Sequence, residues 1–194
     1  MEDFSAKRQA LLDSGVKMMD PDTVYVEESV TVGPGTLLLP GTILRGRTVV
    51  GANCEIGPNT MLVDCTVGDG VTINSSQCNE STIDSGAHVG PFAYIRPNCH
   101  VGADVKVGDF VELKNSTIGE GTKIDNHVHI GHDTVIGKEC LIAAQCGIAG
   151  CNIIEDKVTI WGQVGMTSGV TIGTGAVILA QSGVSKSLEG GKTY

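Results

Sequence analysis

One aliphatic residue returns at every sixth position along nearly the whole chain. It runs through Val26, Val32, Leu38, Leu44, Val50, Ile56 and Leu62, continues as Val67, Ile73, Cys78 and Ile83, and ends at Ile178 and Val184. The interval shortens to five at 62→67, 73→78, 78→83 and 113→118 and nowhere else in the run. A small or branched residue often stands at the fifth position, as at Thr36, Thr42, Thr48, Cys54, Thr60, Ala93, Thr134 and Cys140. The fifth residue and the next aliphatic lie two apart, so both point to one side of a strand. The glycines and polar residues between them turn the chain. Three such turns close a triangular coil of about 18 residues, and the run builds roughly nine coils at ~4.8 Å each.

The expected fold class is therefore all-β, a parallel β-helix with a short N-terminal helix. Its left hand is taken from the likeness of the hexads to the hexapeptide-repeat consensus, because that hand runs against the usual crossover rule. Composition agrees. The chain holds 22 Val and 16 Ile against 11 Leu, 27 Gly in 194 residues, and 4% aromatics. β-branched residues suit strands, and glycine suits tight turns. Ahead of the repeat, Phe4 to Ser14 reads as a helix with an apolar side of Ala6, Ala10, Leu11 and Leu12, stopped by Gly15 and Pro21. The expected organisation is a helix and lead-in over 1–22, the β-helix over 23–188 and a tail over 189–194, with the last turn, Ser185 to Tyr194, expected to fray.

The formal charge of −9 disfavours polyanionic partners, so neither nucleic acid nor an anionic membrane surface is expected. No apolar run approaches the ~20 residues of a membrane span. Met1 to Asp13 is charged throughout and has no secretory core. Seven cysteines without a Cys-x-x-Cys pair point to reduced thiols and a cytoplasmic location. Cys54, Cys99, Cys140 and Cys146 fall at the fifth position and read as small core residues.

The register also stacks the chemistry. Arg96 follows Ile95, Lys114 follows Leu113 one coil later, and His132 stands one coil further on. Tyr94, Glu112 and His129 stack on the other side of those aliphatics. Arg96 and Lys114 suit an anionic substrate. His132 suits the removal of a proton from an attacking amine or hydroxyl, with Asp133 orienting its ring. The run His127-x-His129-x-x-His132-Asp133 also has the residue types of a metal site. It is similar to the zinc carbonic anhydrases of the β-helix class. Gly137, and Pro97 and Asn98 upstream, stand where that family places its other ligands, so no metal is expected. Trp161 follows Ile160 on an outer face, where it suits a subunit contact or an acyl-chain groove.

Residues 1 to about 122 resemble the C-terminal β-helix of the bifunctional N-acetylglucosamine-1-phosphate uridyltransferase/glucosamine-1-phosphate acetyltransferase. The likeness rests on Asp20-Pro21, on Gly90-Pro91-Phe92-Ala93-Tyr94-Ile95-Arg96-Pro97 and on Val107 to Lys114. It implies sugar-phosphate binding by Arg96 and Lys114. Asn126 stands where that family has its catalytic histidine, and His129 where it has a tyrosine. Residues from about 123 onward are similar to UDP-3-O-(3-hydroxyacyl)glucosamine N-acyltransferase. That likeness rests on Asp125 to Asp133, on Ile142 to Gly150, on Gly162-Gln163-Val164-Gly165 and on Ala180 to Ser185. It implies that His132 is the general base.

Together these resemblances imply a homotrimeric acyltransferase of the cytoplasm. It would move an acyl group from acetyl-CoA or acyl carrier protein, with no resident cofactor, to an amino-sugar phosphate or UDP-amino-sugar. Such enzymes serve peptidoglycan precursors and lipid A. The change of resemblance near Thr122-Lys123-Ile124, inside an unbroken register, also fits a recombined chimera, and with it an inert scaffold.

Overall fold

The computed structural model describes residues 4–194. Three parallel sheets of ten, ten and nine short strands wrap into a solenoid of three-strand coils. The first sheet runs from Lys17–Met18 to Val177–Ile178, the second from Tyr25–Val26 to Gly183–Val184, and the third from Thr31–Val32 to Thr171–Ile172. This is the parallel β-helix expected, consistent with its left-handed form. The four shortened steps are honoured in the pairing. Val50 sits beside Val67, Val67 beside Ile83, and Val101 beside Ile118.

The repeated aliphatics fill the prism. Leu38, Ile56, Ile73, Ile95, Leu113, Ile142 and Ile160 have no exposed surface. Burying each such side chain is worth about 1.5–3 kcal/mol relative to exposure. The fifth position explains itself at the corners. Thr122 Oγ1 donates to the Gly137 carbonyl at 2.8 Å and accepts from Cys140 N–H at 3.0 Å, so one hydroxyl satisfies two backbone groups of the next coil. Cys54 and Cys140 serve the same corner with sulfur, at 3.1 Å from Gly68 O and 3.0 Å from Glu155 O. Burial pushes both thiols up from the ordinary cysteine range, which fits a packing role. Most corners also hold a residue in the left-handed region. Between the second and third sheets these include Asn98, Asn115, Asp133 and Cys151, with φ of 62°, 47°, 58° and 61°.

The N-terminal helix forms where it is expected, and both ends of the solenoid depart from expectation. The helix, α1 (Ser5–Asp13), closes through Gly15 at φ 94°. Gly15 N–H donates to Leu12 O and Val16 N–H to Leu11 O, both at 3.1 Å, and Leu11 and Val16 are buried together. That is a Schellman cap with its apolar clasp. The solenoid then begins at Lys17–Met18, which pairs with Leu37–Leu38, so the expected boundary at residue 23 moves back into the lead-in. The tail over 189–194 is not frayed. Leu179 N–H donates to Tyr194 O and Tyr194 N–H to Val177 O, at 2.8 and 2.9 Å. Leu188 and Tyr194 pack against the core. The last coil exposes an apolar layer that the hexad pattern does not cover, and these residues cover it.

Candidate active-site groove

At the corner between the second and third sheets an open groove of about 510 Å³ is lined by Arg96, Pro97, Asn98, Lys114, Asn115, His132 and Asp133. It lies at the shortened step 113→118. In the strands, Tyr94 pairs with Glu112 and Glu112 with His129, which sets Lys114 above Arg96. In the turn, the carbonyl of Lys114 accepts from Asp133 N–H as that of His132 accepts from Cys151 N–H. Lys114 thus fills both register positions, and His132 follows it on the same side.

His132 and Asp133 are in contact, with Nδ1 and Oδ2 at 2.6 Å. A carboxylate only accepts, so this bond assigns the proton to Nδ1 and leaves Nε2 with a free lone pair in the neutral ring. The hydrogen bond from His132, and then that from the Asn115 amide, hold the Asp133 carboxyl below its ordinary range. Asp133 is therefore ionised at neutral pH. The imidazole lies over Gly150, where an added Cβ would stand 2.9 Å from Nε2.

Arg96 is braced from the strand side. Its Nη1 is 2.9 Å from Glu112 Oε1, and its guanidinium carbon is 5.9 Å from the centre of the Tyr94 ring. The Tyr94 hydroxyl accepts from the Asn79 amide at 3.3 Å. Lys114 makes no ion pair among the described residues. The structure therefore brings Arg96, Lys114, His132 and Asp133 into one groove. It leaves Tyr94, Glu112 and His129 on the strand face beside it.

Two features escaped the sequence. Asn115 and Cys151 flank Asp133 at the same corner position in adjacent coils. Their common left-handed φ turns the side chains together, and only the register of the polar corner residues signals it. His132, Asp133 and Cys151 offer ligand atoms within 4.8 Å of one another, a donor set chemically suited to a borderline cation. The imidazole–carboxylate bond already engages two of them. His127 stands outside that cluster. Its ring lies 4.8 Å from Phe110, which stacks on Phe92 at 5.2 Å, an aromatic column at the corner between the first and second sheets.

Glycine substitutions test the geometry. At Gly131 an added Cβ would lie 2.3 Å from the backbone nitrogen of Gly150, whereas at Gly150 it would meet only the His132 ring. Gly131→Ala is expected to lower stability by about 1–3 kcal/mol. Gly150→Ala should leave the denaturation midpoint near the parent's and displace the imidazole. Loss of midpoint in both variants would contradict the placement of His132.

The chain is 38% identical over 188 residues to the bifunctional protein GlmU of Carboxydothermus hydrogenoformans, covering 92% of this chain and 42% of that one. It is 41% identical over 189 residues to the bifunctional protein GlmU of Thermotoga petrophila, covering 93% and 42%. The chain thus spans less than half the length of these relatives, and the likeness continues across Thr122-Lys123-Ile124. A UDP-N-acetylglucosamine acyltransferase structure from Bacteroides fragilis aligns with a TM-score of 0.48 at 22% identity, over 90% of this chain and 69% of that one. The family model for the GMPPB C-terminal domain matches residues 77–192. With more than half of its sequence under that model, the chain belongs to the GMPPB C-terminal domain family.

Proposed function

We propose that the groove catalyses acyl transfer from a thioester, acetyl-CoA or acyl-carrier-protein-bound, to an amino-sugar phosphate or UDP-amino-sugar. The observation that carries this reading is the hydrogen-bonded His132–Asp133 pair in one groove with Arg96 and Lys114. Arg96 and Lys114 bind the acceptor's phosphate. His132 Nε2 takes a proton as the acceptor's amine or hydroxyl attacks the thioester carbonyl. Asp133 stabilises the imidazolium that forms. The carbon–sulfur bond then breaks, and the leaving thiolate takes the proton back. Glu112 and Tyr94 keep Arg96 aimed, and His129 stands at the rim on the same strand column. Among the described residues no helix is long and apolar enough to cross a membrane. We place the reaction in the cytoplasm, where both thioester donors are available.

The test is release of free thiol from either donor in the presence of glucosamine-1-phosphate or a UDP-amino-sugar. Thiol release that needs both donor and acceptor supports the reading, and a signal equal to buffer overturns it. One observation favours a second reading. Asn126 replaces the histidine implied by the first resemblance, which leaves a recombined, inert prism joined near Thr122-Lys123-Ile124. That scaffold would give the buffer result with every donor.

The outer faces support the expected homotrimer. Val49, Val135 and Ile153 stand exposed on the third sheet, with Val135 and Ile153 as direct strand partners. Such apolar columns are normally covered by another surface. Light scattering is expected to give three chain masses, and a monomer mass would overturn this assignment.

A further inference from the structure

A second cavity, of about 500 Å³, lies on the first sheet, with the second sheet between it and the groove. Lys106 and Lys123 are direct partners on adjacent strands there, with His88 one strand before them and Leu141 one strand after. Both lysines are exposed, and neither makes an ion pair among the described residues. Like charges set opposite each other in a sheet repel, so this pair costs stability unless an anion bridges it. The cost stands out in a chain with 13 cationic side chains and a net charge of −9.

The next outward column of the same face carries Asp125, Ala143 and Trp161 on successive coils, and all three line the cavity. Asp125 accepts one hydrogen bond, from Asn126 N–H at 2.9 Å, and keeps its other oxygen open. Trp161 is exposed and stands two coils beyond Asp125, at roughly 10 Å for two strand spacings. Along the solenoid Lys106 comes first, Lys123 and Asp125 share the next coil, Ala143 stands on the one after and Trp161 on the one after that.

We propose that this cavity binds a nucleoside diphosphate, with its phosphates on Lys106 and Lys123, its ribose hydroxyls on Asp125 and its base on Trp161. The order of groups selects this ligand class. A free phosphate would gain nothing from Trp161. A purely apolar chain would leave the lysines unpaired. Ribose hydroxyls donate, which a carboxylate requires, and an aromatic base stacks on an indole with a gain of about 1–3 kcal/mol in comparable base–aromatic contacts. The assignment does not depend on acyl transfer in the groove.

Trp161 is the chain's single tryptophan, so its fluorescence reports this cavity alone. Titration with ADP and with UDP is expected to give a saturable change below about 1 mM, the range of a modest polar site. Inorganic pyrophosphate and adenosine should each bind about tenfold more weakly or worse, since each keeps one half of the contacts. The Lys106→Ala/Lys123→Ala variant should weaken ADP by about tenfold or more. The Lys114→Ala variant, which removes a phosphate anchor of the groove, should bind ADP like the parent, which separates this site from the groove. Equilibrium dialysis of Trp161→Phe should show weakened ADP binding without relying on fluorescence. An absent change at millimolar ADP, or ADP binding that is unaltered in the double lysine variant, overturns the proposal. So does a change that tracks protein concentration alone together with a rise in mass, because the face then belongs to a second copy of the chain.

Discussion

Replacing His132 with alanine is expected to lower turnover by about 10²–10⁴-fold, the usual worth of a positioned general base. The fold should be untouched. His132 is exposed at a corner, its only side-chain hydrogen bond among the described residues runs to the neighbouring exposed Asp133, and its removal opens no core cavity. Stability should therefore stay within ~0.5 kcal/mol of the parent. Lys114→Ala separates base from anchor. It removes an unpaired cation from the same groove, so it should raise KM for a phosphate-bearing acceptor more than it lowers kcat. The measurement is steady-state thiol release, with far-ultraviolet circular dichroism as the control for folding. Equal turnover of His132→Ala and parent would remove the base assignment.

The fold was legible because a β-helix is written in one dimension. Each coil repeats the last, so a six-residue rhythm specifies strand, corner and core column together. The shortened steps were legible too, and 113→118 set Lys114 against both Arg96 and His132. Side-chain aim was less so. The stacking of Arg96 near Glu112 follows from register, but their ion pair depends on rotamers that spacing does not encode. Asn115 and Cys151 were hidden for a different reason. Their direction is set by a left-handed backbone at the corner, which Asn tolerates and Cys rarely adopts. The ends were misread where the rhythm stops. Lys17–Met18 pairs before the first full hexad, and Leu188 and Tyr194 cap the last coil without a repeat.

Leu113→Ala should destabilise the protein by about 2–5 kcal/mol, the range for buried leucine truncations. Leu113 has no exposed surface and lies inside the prism beside Ile95, in the strand that presents Lys114. Its neighbours along the interior are Ile, Val and Leu held by parallel strands on all three sides. Branched side chains with few rotamers relax poorly into a void, which favours the upper part of that range. The location sharpens the expectation. A solenoid is stabilised by contacts between neighbouring coils, so a defect in a middle coil weakens the link between the two halves. Urea unfolding should show a lower midpoint, and hydrogen exchange should rise first in the strands Tyr94–Ile95 and His129–Ile130 on either side. Activity per folded molecule should fall as well, because Arg96, Lys114 and His132 come from three successive coils whose spacing this side chain helps to hold. A loss below about 1 kcal/mol would mean that the coil closes over the missing volume, and the groove's alignment would then need a support other than the core beneath it.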